Sequence, residues 1–280
     1  MTEPRDLEPD ASIENFESHT TRYNGNNALC LAVMANLAYE KKCVIEPQIA
    51  DWGFPNFEFF DVKGTQAFIA GDNEKIIVSF RGTEPKYLED LLTDVRFALV
   101  DGPGGQVHAG FNQSVALVWE SLRDHITKFQ DNAERPQALW FTGHSLGAAL
   151  ATIAVARLRH DEDKPVYGLY TFGHPRTGDQ QFADHVNRDS MTRTYRFVNN
   201  NDVVTRVPFR SMRYRHVGKL IYFTKEGDAE TDIDFWAKLL DRAHGRFEDV
   251  GKLGTDGLGD HDMSNYVGLV RKNVGKVSWD

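Results

Sequence analysis

The stretch that most restricts what this chain can fold into is Ala138 to Leu158, ALWFTGHSLGAALATIAVARL: a short apolar run, a sharp turn and a helix. Ala138, Leu139, Trp140 and Phe141 are too few for a helix and suit a buried strand. Beyond the turn, Leu146, Leu150, Ile153 and Leu158 recur at roughly helical spacing, and Gly147, Ala148, Ala149 and Ala151 let the helix lie close on the strand. Gly143 and Gly147 flank Ser145 where side chains would collide with neighbouring backbone. This arrangement holds a serine hydroxyl at the head of a helix. The next backbone N–H, that of Leu146, points into the same space and can bind a developing oxyanion. The Gly-x-Ser-x-Gly pattern alone is weak, and the competing reading is a glycine-rich turn whose serine only caps the helix. The strand before it and the helix after it favour a nucleophile.

At 280 residues the chain is long enough for one large α/β domain, and no linker, repeat or low-complexity segment divides it. We therefore expect a single domain over 1–280, with 1–18 a loosely packed arm. The net charge of -9, from 32 Lys+Arg against 41 Asp+Glu, argues against nucleic acid and against tight adhesion to anionic membranes. Neutral lipid surfaces stay open. Residues Met1 to Asp10 are acidic, lacking the basic-then-apolar plan of a secretory signal, and no apolar run spans a bilayer. The expectation is an unexported, cytoplasmic chain without a transmembrane segment. Cys30 and Cys43 give no disulfide framework; a single bridge is open to them, with reduced core thiols the favoured reading.

Along the chain, Asn27 to Tyr39 reads as a helix with one buried stripe. Phe57 to Val62, Ala67 to Ala70 and Lys75 to Phe80 form an antiparallel meander turning at Lys63-Gly64 and Gly71-Asp72-Asn73. Its last strand ends at Arg81-Gly82-Thr83. In α/β folds ligands sit beyond the carboxyl ends of strands, so Thr83 is the candidate for a second oxyanion donor. Glu84 to Asp94 is amphipathic, with Tyr87, Leu88, Leu91 and Leu92 as an apolar face, and reads as a lid giving access to a site that meets lipid. Asp101 to Gly105 reads as a hinge, Gln106 to Phe129 as a connecting helix, and Asp232 to Val250 as a further helix. Strands over Val166 to Phe172, Thr194 to Val198 and Tyr214 to Phe223, a helix over Asp179 to Val186 and a closing helix over Met263 to Lys272 complete the pattern.

A serine nucleophile needs a base to take its proton and a carboxylate to hold that base in the right tautomer. Strand-turn-helix hydrolases supply them in the order serine, acid, histidine. Asp202 follows a strand and three asparagines and is preferred as the acid over Asp179 and Asp184, which belong to a surface helix. Downstream lie His216, within a strand, His244, at a helix end, and His261, on a glycine-rich loop. The loop position favours His261. His144 reads as a packed, hydrogen-bonded residue.

These residues together resemble the class 3, fungal-type triacylglycerol lipases of the α/β hydrolase superfamily. The matching motifs are Phe80-Arg81-Gly82-Thr83, Val107-His108-Ala109-Gly110-Phe111, Gly143-His144-Ser145-Leu146-Gly147, Phe172-Gly173-His174-Pro175-Arg176-Thr177-Gly178, Asn201-Asp202-Val203-Val204, and His261 with Tyr266. The resemblance implies a mostly parallel central sheet with an antiparallel N-terminal meander, helices on both faces and a short helical lid. It also implies Ser145, Asp202 and His261 as a catalytic triad, Thr83 and Leu146 as the oxyanion hole, and Asp94 as the lid-hinge aspartate. The expected activity is hydrolysis of acylglycerol esters at a lipid–water interface, without metal or organic cofactor. Competing with it are a soluble or feruloyl-type esterase or phospholipase A1 with the same triad, and a lipid-binding protein without turnover. Thr205 stands where the family commonly carries proline, and Glu226 to Gly259 is longer than in compact members.

Overall fold

The computed structural model describes residues 13–83, 97–188, 193–200, 202–231 and 259–277. Helices α1 (Gly25–Leu37) and α2 (Lys42–Asp51) lead into strands β1 (Asn56–Val62), β2 (Thr65–Gly71) and β3 (Lys75–Phe80). A hairpin of β4 (Leu99–Gly102) and β5 (Gly105–His108) runs into the long helix α3 (Ala109–Asp131). Next come β6 (Ala138–His144), α4 (Leu146–Glu162), β7 (Gly168–Phe172), α5 (Gln180–Arg188) and β8 (Thr194–Asn199). Strands β9 (Lys219–Phe223) and β10 (Ala229–Glu230) and helix α6 (Met263–Lys272) end the described chain.

Among the described residues the main sheet has the order β1-β2-β3-β6-β7-β8-β9-β10. The expected meander is present: β1, β2 and β3 are antiparallel neighbours. The turn between β1 and β2 places Lys63 at φ 50° and Gly64 at φ 83°, which matches the twist of the hairpin. From β3 to β9 the pairing is parallel, and β3, β6, β7 and β8 are buried along their whole lengths. Such strands need cover on both faces. Alternate side chains feed two cores. Ile77, Trp140, Tyr170 and Phe197 pack with α1 and α6, whereas Ile76, Val78, Leu139 and Phe141 pack with α3 and α4. This is the α/β-hydrolase fold.

The registers Phe80↔Gly143 and His144↔Phe172 bring the carboxyl ends of β3, β6 and β7 level. Arg81, Ser145 and Gly173 therefore leave the sheet along one edge.

Several expectations are corrected. Helix α1 is buried from Asn27 to Leu37 on every face rather than along one stripe, because it lies between the sheet and α6. Of the loose arm expected over 1–18, residues 1–12 lie outside the described residues; in the remainder the Phe16 ring meets Trp140 edge-on at 5.0 Å, and Trp140 Nε1 donates to Ser18 O at 2.9 Å. Residues 101–105 are the turn of the β4–β5 hairpin instead of a hinge, and the helix begins at Ala109 instead of Gln106. His108 caps it by accepting from Phe111 N–H. The strand expected from Tyr214 starts only at Lys219. Helix α2, with Ile45 and Ile49 as its buried residues, had no counterpart in the sequence reading. Cys30 is buried as expected, but Cys43 is exposed. Among the described residues no helix is long and apolar enough to cross a membrane.

Candidate active site

Ser145 sits between β6 and α4 with φ 57° and ψ -129°, a conformation that costs an ordinary residue about 1–3 kcal/mol. Glycines make the turn possible. A Cβ on Gly143 would overlap the carbonyl of Gly147, and one on Gly147 would overlap the carbonyl of Phe80 at the end of β3. Helix α4 therefore starts in direct backbone contact with the strand that leads to Arg81-Gly82-Thr83. A Cβ on Gly82 would lie 3.1 Å from Ser145 Cβ, so this turn passes over the serine itself. The sterics bring the Arg81-Gly82 turn against Ser145 and the head of α4. The first N–H groups of α4, beginning at Leu146, have no acceptor within the helix and carry the positive end of its dipole.

Asp202 and His261 reach the same edge from the other side. Asp202 is buried and its carboxylate accepts three hydrogen bonds: Val204 N–H at 2.9 Å on Oδ1, His261 Nδ1–H at 2.8 Å and Tyr266 O–H at 2.6 Å on Oδ2. The carboxylate only accepts, so Nδ1 of His261 carries the proton and Nε2 the lone pair. Tyr266 Oη in turn accepts Asn199 N–H at 2.9 Å, and burial, followed by the charge of Asp202, holds its phenol well above the ordinary value. Asn199 Nδ2 donates to Asp260 O at 2.8 Å, linking the end of β8 to the loop that carries His261. Gly173, at φ 56°, passes directly beneath this pair. A Cβ there would stand 2.8 Å from His261 Nδ1 and 2.9 Å from Asp202 Oδ2. Ser145 Oγ and His261 Nε2 are both buried and have no hydrogen-bond partner among the described residues.

Asp202 and His261 are joined by a hydrogen bond, Gly143, Ser145 and Gly147 form the turn at the head of α4 with Leu146 as its first residue, and Thr83 follows the Arg81-Gly82 turn that passes over Ser145. Tyr87, Leu88, Leu91, Leu92, Asp94 and His244 fall outside the described residues. Asp179, Asp184 and His216, the less favoured acids and base, occupy structural positions. Asp179 is buried rather than on a surface face and accepts from Phe182 N–H and Gln106 N–H at the start of α5, while exposed Asp184 accepts from Gln180. His216 is pushed well below its ordinary value by burial and then by Arg196 and Arg176. The sequence reading missed Gly173 and Asn199 as parts of the site. For Gly173 a signal existed: a glycine immediately after a buried strand, ahead of His-Pro.

The chain is similar to known lipases. The family model described as Lipase (class 3) matches residues 77–212. A triacylglycerol lipase of Arabidopsis thaliana is 30% identical over 86% of this chain and 64% of its own length. A secreted mono- and diacylglycerol lipase of Malassezia restricta is 35% identical over 50% of this chain and 49% of its own. The chain thus spans about two-thirds to half the length of these curated relatives. A solved fungal lipase superposes with TM-score 0.65 at 26% identity, covering 80% of this chain and 92% of that one. Residues 77–212 match the class 3 lipase family, and the fold is that of the α/β hydrolases.

Proposed function

We propose that this chain is a serine carboxylic-ester hydrolase that cleaves acylglycerol lipids through an acyl-enzyme. One observation carries the reading. A buried imidazole is held through Nδ1 by a buried carboxylate, its Nε2 lone pair has no partner among the described residues, and the same edge carries an equally unpartnered serine hydroxyl on a strained turn. A buried group without a partner costs about 1–3 kcal/mol, so two of them facing one edge are a cost that a purely structural turn would not retain.

The steps follow from the atoms available. Nε2 of His261 takes the proton of Ser145 Oγ as Oγ bonds to the ester carbonyl carbon. The Leu146 and Thr83 N–H groups stabilise the negative charge that develops on the carbonyl oxygen. Asp202 keeps the ring in its tautomer and stabilises the imidazolium. The C–O bond to the leaving alcohol breaks and Nε2–H protonates that alcohol. Water then attacks the acyl-enzyme with its proton passing to Nε2, which returns it to Ser145 as the fatty acid leaves.

The choice of lipid rests on two supports: the relatives named triacylglycerol and mono- and diacylglycerol lipases, and the amphipathic Glu84 to Asp94 segment, whose Tyr87, Leu88, Leu91 and Leu92 suit a lid at a lipid–water interface.

The test is hydrolysis of a p-nitrophenyl ester series from short to long acyl chains, with Ser145→Ala alongside. The variant should lose about 10⁴- to 10⁶-fold in kcat. Turnover should rise toward medium or long chains and increase once the substrate aggregates. Preference for short, dissolved esters points instead to an esterase with the same triad, and wild-type turnover in Ser145→Ala removes the assignment.

A further inference from the structure

Tyr39 and His144 form a buried polar chain beside the site that the steps above do not use. Nε2 of His144 lies 2.7 Å from the backbone carbonyl oxygen of His261. A carbonyl only accepts, so Nε2 carries the proton and Nδ1 is the acceptor. Tyr39 O–H donates to that Nδ1 at 2.7 Å. The His144 and His261 rings lie 4.4 Å apart, tilted by 34°. His144 is therefore hydrogen-bonded to the loop that carries the proposed base while being joined by a peptide bond to Ser145.

Tyr39 reaches the third part of the site. A Cβ on Gly82 would overlap both Tyr39 Oη and the backbone carbonyl of His144, and the Arg81 guanidinium lies over the Tyr39 ring at 5.6 Å. Two buried hydroxyls determine where Tyr39 sits. Ser79 Oγ in β3 donates to Met34 O at 3.1 Å, and Thr142 Oγ1 in β6 lies 3.0 Å from both Leu31 O and Tyr170 O, its one proton shared between the two carbonyls. Helix α1 is thus registered on the two strands that carry the oxyanion turn and the elbow, and Tyr39 follows two residues after its end.

We propose that Tyr39 and His144 are positioning residues, setting the His261 loop and the Arg81–Thr83 turn against the elbow from one shared point. Neither is hydrogen-bonded to Ser145 Oγ or His261 Nε2; each acts through a group that carries a reacting atom. The proposal rests on the triad reading given above.

The experiment measures kcat and KM on a p-nitrophenyl ester, with thermal melting, for wild type, Tyr39→Phe, His144→Phe, His144→Gln and the double variant Tyr39→Phe/His144→Phe. His144→Phe keeps a ring but leaves the His261 carbonyl without its donor, and kcat should fall about 100-fold at unchanged KM. Tyr39→Phe should cost about 10-fold. His144→Gln places an amide N–H near the position of Nε2 and should return kcat to within about fivefold of wild type. Because the two hydrogen bonds act in series, the double variant should be no slower than His144→Phe alone. Loss of packing alone would lower the melting temperature, give additive effects and show no rescue by glutamine. Wild-type kcat in Tyr39→Phe, or a His144→Gln no better than His144→Phe, overturns the proposal. If His144→Phe does not fold, Tyr39→Phe and His144→Gln decide it. Failure of the underlying reading is separate, since it shows as full turnover in Ser145→Ala.

Discussion

On one side of the site, the Ser145 turn and the Arg81–Thr83 turn are held by contacts that admit no side chain: Gly143 against Gly147, Gly147 against Phe80 and Gly82 against His144. On the other side, Asp202 and His261 are held by hydrogen bonds from Val204, Tyr266 and the backbone near them. The first kind of contact has a steep repulsive wall and responds to one added methyl. The second is graded, because each hydrogen bond contributes about 0.5–1.5 kcal/mol net and its loss leaves the others in place. The nucleophile side should therefore break abruptly and the acid–base side by degrees.

The largest effect is expected from Gly147→Ala. In an exposed helix that change stabilises by about 1 kcal/mol through helix propensity. Here the new Cβ would meet the backbone of Phe80 and Arg81, which a rotamer change cannot relieve. We expect about 3 kcal/mol of destabilisation by urea unfolding, together with displacement of the Arg81–Thr83 turn and loss of esterase activity. A stabilised variant would show that the close approach of α4 to β3 is not what holds the nucleophile side.

Next comes acid. His174, under the acid–base side, is fully buried, with Thr171 at 3.3 Å from Nδ1 and Thr177 at 2.9 Å from Nε2. Burial, reinforced by the Arg196 guanidinium, pushes it from 6.5 down to about 3. Below pH 6.5 the unfolded chain binds a proton at this histidine that the folded chain refuses, so stability falls as pH drops from 6.5 toward 3. The slope is about 1.4 kcal/mol per pH unit, or about 2 kcal/mol by pH 5. His216, also held below its ordinary value, adds a second contribution. Urea unfolding across this range checks it, and His174→Asn should remove its share of the slope. An unchanged slope in that variant would mean that the loop beneath Asp202 is not held by a neutral His174.

How much of this is legible in the sequence follows the same division. The strand, elbow and helix at 138–162 are local, and sterics between residues a few positions apart decide them, so glycine spacing displays them directly. Asp202 and His261 follow from chain order. Their supports do not, because Tyr39 meets His144 across 105 positions and Tyr266 meets Asp202 across 64. Nothing in a tyrosine's neighbours says which distant group its hydroxyl will reach. The burial of α1 on all faces is hidden for a related reason: helical periodicity reports one apolar face, and only the presence of α6 opposite the sheet makes the other face core. The second strand of the β4–β5 hairpin reads as the start of a helix, because it is four residues long and runs straight into α3.

The smallest effect tests the acid–base side most directly. Tyr266→Phe removes one of the two hydrogen bonds on Asp202 Oδ2 and takes the acceptor from Asn199 N–H. The His261 Nδ1–H and Val204 N–H bonds remain, so the carboxylate stays partnered and the ring keeps its tautomer. The orientation of the pair loosens instead of being lost. We expect kcat to fall about 10-fold with KM unchanged, equivalent to about 1.4 kcal/mol. Because the Tyr266 phenol is held well above its ordinary value, wild type should keep this bond into alkaline solution and show no loss of kcat from its ionisation near pH 10. A fall of about 1,000-fold or more in Tyr266→Phe would make this side as abrupt as the glycine-packed one. A melting temperature that drops while kcat holds would reduce Tyr266 to packing, and the graded response would then have to come from Val204 and the loop around Asp260.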